Sequence, residues 1–127
     1  MEPADLSAST VSGACHCGAV IFRLDHAPED VTECSCSICR RYGVLWAYYR
    51  LNQVHFEPRD LMTDHYKWGA ETIAFHRCTV CGCVTHWSPI NRNEDRMGIN
   101  ARLLEPFVLD RARLRHLDGA DTEQYLD

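Results

Sequence analysis

The chain has 127 residues, of which 46% are hydrophobic and 24% charged, and a formal net charge of −5. That length fits one domain, and the hydrophobic share excludes wholesale disorder. The acidic balance argues against nucleic acid, whose phosphates demand a basic face, and no apolar run approaches the roughly 18 residues of a membrane span.

Residues 1–10 are polar and are expected to be poorly ordered, leaving 11–127 as a single domain. Ala19 to Leu24 is rich in β-formers and reads as a strand. Asp25 to Asp30 carries Pro28 and charges and reads as a turn. Val31 to Glu33 is a short extended run. Ser37 to Tyr42 suits a single helical turn with Gly43 as its C-cap. Val44 to Tyr49 gives the clearest strand signal, and Gln53 to Glu57 another that Pro58 stops. Thr63 to Trp68 and Thr72 to Arg77 form a hairpin pattern around Gly69-Ala70-Glu71. Val84 to Trp87 continues as a strand until Pro89. Asn91 to Asp95 is a polar loop, and Arg96 to Leu103 returns as a strand. Pro106 to Leu117 suits either a short helical turn or a further strand. No segment sustains helical periodicity long enough for a helix of ordinary length, so the fold class is mainly β.

Eight cysteines carry the chemistry, and they fall in three clusters. These are Cys15-His16-Cys17-Gly18, Cys34-Ser35-Cys36-Ser37-Ile38-Cys39 and Cys78-Thr79-Val80-Cys81-Gly82-Cys83. Cysteines with only one or two residues between them bridge poorly as disulfides, but such turns aim their sulfurs at a common ion, which zinc accepts tetrahedrally. The N-terminus lacks the basic and apolar regions of a signal peptide. The chain therefore reads as cytoplasmic, a compartment that keeps thiols reduced and favours metal over disulfides.

Cys15, Cys17, Cys78 and Cys81 form two pairs that close a four-sulfur structural site and tie together positions about sixty residues apart. Cys34, Cys36 and Cys39 offer three thiolates from one loop. Three protein ligands leave a position for substrate, as catalytic zinc requires. Arg40 and Arg41 follow directly and are candidates for holding substrate carboxylates. Cys83 has two readings: a ligand that closes the second site, or a small buried side chain. His16 should point away from the ion between its two neighbours. His86 is placed either toward the cleft or in a hydrogen bond on its strand. Trp46, Tyr48, Trp68 and Trp87 suit core and cleft walls.

The segments Gly13 to Val20, Cys34 to Arg41 and Cys78 to Gly82 together resemble the glutathione-dependent formaldehyde-activating enzyme family, which includes centromere protein V-type proteins. The resemblance runs from about residue 12 to 120 and includes the ending His116-Leu117-Asp118-Gly119-Ala120. It implies an Mss4-like β-tent of small antiparallel sheets stapled by zinc. It also implies a structural zinc on Cys15, Cys17, Cys78 and Cys81, and a second, catalytic and partly occupied zinc on Cys34, Cys36 and Cys39. The implied activity is that of a carbon–sulfur lyase joining formaldehyde to glutathione as S-hydroxymethylglutathione. Cys83 departs from the small hydroxyl or apolar residue usual at that place.

These readings combine into a zinc-dependent lyase. A thiol such as glutathione takes the open position on the second zinc, loses its proton and attacks a small aldehyde, and the reverse reaction cleaves the adduct. A zinc carrying three thiolates is electron-rich, so presenting a thiolate suits it better than activating water. The alternative is a zinc-stapled protein-binding module without chemistry.

Overall fold

A computed structural model describes residues 9–58, 62–91 and 93–127. The expectation of disorder over 1–10 falls mostly outside them. Among the described residues, ten short strands build two sheets. β1 (Val11–Ala14), β2 (Ile21–Leu24) and β5 (Val54–Glu57) form an antiparallel three-stranded sheet in the order β1-β2-β5. The second sheet takes β3 (Asp30–Cys34), β4 (Trp46–Tyr49), β6 (Thr63–Tyr66), β7 (Ile73–Cys78), β8 (Val84–Pro89), β9 (Met97–Asn100) and β10 (Arg113–Leu117). Its order is β10-β3-β4-β9-β8-β7-β6. Two six-residue helices, α1 (Ser37–Tyr42) and α2 (Pro106–Arg111), complete the elements together with 3₁₀ turns at Leu51–Gln53 and Ala101–Leu103.

The mainly-β expectation holds, but the sheets are not all small and antiparallel. One has seven strands, and β10 joins β3 in parallel, Arg113 opposite Asp30 through Leu117 opposite Cys34. Pro106 to Leu117, ambiguous in sequence, contains both alternatives. Pro106 opens α2, where its missing N–H costs nothing, and β10 begins after Ala112. The expected strand from Arg96 to Leu103 stops at Asn100, because the Asn100 side chain accepts from the Arg102 N–H and turns the chain. β1 was not foreseen: four small or β-branched residues offer little signal until β2 pairs with them. The hairpin of β6 and β7 forms as expected, with Tyr66 opposite Phe75. Gly43 caps α1 at φ 69°, a left-handed conformation that favours glycine.

Strand alternation divides the interior in two. Along β4, successive side chains face opposite sides of the sheet. Ala47 and Tyr49 enter the main core with Val11, Phe22, Leu24, Val31 and Ile99. Trp46 and Tyr48 pack on the other side with Cys34, Cys39, Phe75 and Trp87. A third cluster, Cys15, Val20 and Cys78, lies where the β1–β2 turn approaches the end of β7. No helix among the described residues is long and apolar enough to cross a membrane.

Candidate functional site

Two turns build the first cysteine group. After β1 the chain reverses through residues 15–20, with the Gly18 N–H donating to the Cys15 carbonyl and the Cys15 N–H to Val20. After β7 it reverses again, with the Gly82 N–H donating to the Cys78 carbonyl and the Cys78 N–H to Cys83. The sulfurs of Cys15, Cys17, Cys78 and Cys81 all lie within 4.8 Å of one another. Cys15 Sγ is 3.7 Å from Cys17 Sγ, and Cys17 Sγ is 3.6 Å from Cys78 Sγ. Tetrahedral thiolates at about 2.3 Å from an ion stand about 3.8 Å apart, so the spacing fits a metal. Backbone N–H groups aim at the sulfurs: Val20 at Cys15 (3.3 Å), Ala19 at Cys17 (3.4 Å) and Val80 at Cys78 (3.4 Å). Such donors stabilise thiolate over thiol. The Cys83 and Cys17 N–H groups pull Cys81 down to about 5, and the Cys81 N–H lowers Cys78. Cys17 is pushed up to about 12: the Ala19 N–H works against the rise, but burial and the neighbouring sulfurs outweigh it.

The second group is assembled from β3, α1 and β4. Cys34 ends β3 and is buried, Cys36 is the N-cap of α1 with its sulfur accepting from the Cys39 N–H at 3.4 Å, and Cys39 is buried inside the helix. The three sulfurs lie within 4.8 Å of one another, and no fourth ligand joins them among the described residues. The donor pattern recurs, with the Cys36 N–H 3.5 Å from Cys34 Sγ and the Trp46 Nε1–H 3.2 Å from Cys39 Sγ. Gly119, following β10, directs its N–H at Cys34. With its thiol donating to Cys34, Cys39 is held well above the ordinary thiol range, and Cys34 falls to about 6. Three convergent sulfurs with fixed donors make a fitting metal site.

This group opens into a cavity of about 390 Å³, also lined by Ile38, Tyr48, Trp68, Ile73, Phe75, Trp87 and Arg96 among others. A larger hollow of about 650 Å³ lies over β2 and β5, lined by Ser12, Arg23, His55 and Glu57 among others, but it contains no cysteine. The chemistry-bearing groups choose the smaller one. Arg40 and Arg41 stand in the last turn of α1 and are exposed. The Arg41 guanidinium donates to the Ser37 carbonyl at 2.8 Å and lines an adjoining groove with Tyr42, Tyr66 and Trp68, while the cation lining the cysteine cavity is Arg96.

Cys83 packs beside the first group, receiving the His16 N–H and contacting Cys81, so it does not close the second. His16 is exposed. His86 is buried away from the cavity, bonded to Thr85 Oγ1 at 2.8 Å and stacked on His76 at 4.2 Å. Sequence reasoning missed Arg96 as a cavity residue: it has no motif and reads only as the start of a strand, whereas β9 begins at Met97. It also passed over the role of Gly119, whose only sign was its place in the ending that carries the resemblance.

Two sheets bearing one four-thiol and one three-thiol group define a mainly β protein with two cysteine groups that could hold metal ions. The chain belongs to the glutathione-dependent formaldehyde-activating enzyme family, whose model matches residues 10–116. A solved Rhodobacter sphaeroides protein is similar to it, at 30% identity and a TM-score of 0.65, over 81% of this chain and 98% of that one. No curated protein matches the sequence.

Proposed function

We propose that the chain is a zinc-dependent carbon–sulfur lyase that joins a thiol to a small aldehyde and cleaves the adduct. The observation that carries the reading is the three-sulfur group of Cys34, Cys36 and Cys39 at the wall of a cavity, beside a four-sulfur group that has no need of a substrate. Family membership supports it, glutathione and formaldehyde being the pair in the family's description. Cys15, Cys17, Cys78 and Cys81 would hold a structural zinc, giving the stapled β-tent expected from the sequence, and Cys34, Cys36 and Cys39 a second.

Cys34, Cys36 and Cys39 would hold this second zinc, which would supply one thing, a lowered pKa for an incoming thiol. The reaction is redox-neutral. The carbon–sulfur bond forms as the carbonyl π bond breaks, and the proton lost from sulfur ends on the former carbonyl oxygen. In the reverse direction the hydroxyl proton returns to the thiol as the aldehyde leaves. Ile38, Trp46, Phe75 and Trp87 give the reacting atoms apolar walls. Tyr48, whose phenol burial keeps protonated, is the cavity side chain suited to donate a hydrogen bond to the carbonyl oxygen. Arg40 and Arg41, exposed in the last turn of α1 and outside the cavity lining, would meet only a substrate carboxylate that extends beyond the cavity mouth.

The test is a titration of the cobalt-substituted protein with 2-mercaptoethanol and with glutathione, followed in its thiolate-to-metal absorption. A saturable change that is lost in Cys36→Ser is expected. A spectrum that neither thiol moves would overturn the reading in favour of a zinc-stapled binding module.

A further inference from the structure

The cavity walls constrain the substrate in a way that the cysteines do not. Most lining side chains are apolar or aromatic: Ile38, Trp46, Trp68, Ile73, Phe75 and Trp87. The indole N–H of Trp46 is already committed to Cys39. Among the described residues, no carboxylate, lysine or histidine lines the space, and the one cation lining it is Arg96, with Cζ 4.1 Å over the Tyr48 ring. Tyr48 in turn lies 6.2 Å from Trp87 at an interplanar angle of 59°. One positive group therefore sits on an aromatic wall, at the opposite chemical extreme from the sulfurs.

A tripeptide thiol such as glutathione carries two carboxylates and an ammonium. One carboxylate can pair with Arg96, while among the described lining residues the ammonium finds no acid and the second carboxylate no second cation, so both would stay without a partner at the exposed rim by Trp68 and Arg96. Charged groups taken from water without partners are costly. A ring between the sulfur and one carboxylate meets none of these penalties. It buries against Phe75, Trp68 and Trp87 in the offset and edge-to-face contacts that aromatic groups favour, and its carboxylate reaches a guanidinium suited to it.

Resting on the lyase reading above, we propose that the thiol handled by this chain is a small aromatic thiol bearing a single carboxylate, with its sulfur at Cys34, Cys36 and Cys39 and its carboxylate on Arg96. Arg96 is then the specificity-determining cation, and the aromatic walls select the body of the substrate. Glutathione becomes a weak ligand of this family member.

The probes are 4-(mercaptomethyl)benzoate, benzyl mercaptan and glutathione, titrated into the cobalt-substituted protein with two readouts, the thiolate-to-cobalt absorption and the tryptophan fluorescence. 4-(Mercaptomethyl)benzoate should bind at least about tenfold tighter than glutathione, the scale of one hydrogen-bonded charge pair. Arg96→Gln should remove about tenfold of that affinity while changing benzyl mercaptan less than about twofold. Glutathione binding as tightly as the aromatic acid, or an Arg96→Gln loss equal for both aromatic thiols, would overturn the substrate assignment and leave the lyase reading standing. An absorption spectrum unmoved by all three thiols and by 2-mercaptoethanol would remove the lyase reading and, with it, the assignment of a thiol substrate.

Discussion

Gly119 offers a direct test of how the second cysteine group is held. It follows β10, and its N–H is directed at Cys34. A Cβ built on it would fall closer to Cys34 Sγ than the 3.0 Å that real Cβ atoms respect, and 3.1 Å from Cys36 Cβ. Restoring a tolerable contact requires a retreat of roughly half an ångström, against a tolerance of about 0.2 Å in metal–ligand distances. The glycine segment cannot supply that movement cheaply. The Ser35 N–H donates to Leu117 O at 3.0 Å, the Ala120 N–H to Ser35 Oγ at 3.3 Å, and the Asp118 N–H to Gln124 O at 2.9 Å. Leu117 is also in register with Cys34. The sulfur must yield instead, so Gly119→Ala should weaken metal at the second group by about ten- to a hundredfold, the range seen when groups orienting a ligand are lost. The four-sulfur group lies elsewhere in the fold and should be untouched. Metal content by elemental analysis at limiting free metal should fall from two ions per chain toward one, with an unchanged far-UV circular dichroism spectrum. Two ions bound with wild-type affinity in Gly119→Ala would refute the reasoning.

The remaining predictions separate the two groups further. Cys78→Ser, at a residue 1% exposed that joins turns 61 positions apart, should lose one metal ion and much of the thermal stability, whereas Cys36→Ser should lose one ion and keep its melting temperature within a few degrees; equal melting in both variants would contradict the division of roles. Trp46→Phe removes the N–H donor to Cys39, a bond to a charged group worth about 1.5–3 kcal/mol, and metal competition at the second group should show a loss of at least tenfold. His86 is 3% exposed and burial depresses its pKa to about 3, so below about pH 6.5 the unfolded chain takes up a proton that the folded chain refuses. That difference should cost the wild type about 2 kcal/mol between neutral pH and pH 5, measured by denaturant unfolding against His86→Phe, and identical pH slopes in the two proteins would show that His86 does not carry it.

What sequence could reveal followed the range over which each signal acts. The cysteine groups were legible because a metal turn is local: one or two intervening residues fix the chemistry before any tertiary contact forms. β4 and the hairpin of β6 and β7 were legible because β-branched and aromatic residues concentrate there. β1 was not, and β10 was legible only as one of two alternatives over Pro106 to Leu117, since Val-Ser-Gly-Ala and Arg-Leu-Arg-His-Leu become strands only through the partners that receive them, β2 in one case and the parallel edge of β3 in the other. Arg96 illustrates the same limit at the site. Nothing in Asn-Glu-Asp-Arg distinguishes a cavity cation from a solvated one, and only the antiparallel pairing of β9 with β4 brings it over Tyr48.

That pairing also helps to keep the two cysteine groups apart in one small fold. β4 sends Ala47 and Tyr49 into the main core and Trp46 and Tyr48 to the cavity, so a single strand serves both without mixing them. The four-sulfur group lies farther along the long sheet, past β9 and β8, at the end of β7. Its sulfurs are tied by turn N–H groups that need no side chain from the cavity. The three-sulfur group, by contrast, takes one donor from a cavity wall, Trp46, and another from Gly119 after the edge strand β10. A change in the aromatic walls therefore reaches the sulfurs of the second group directly and those of the first along β7, which carries both Phe75 and Cys78. Under the proposed function, substrate preference would change with Trp68, Trp87 or Arg96, which hold none of the sulfurs, while Trp46 would be constrained by both tasks.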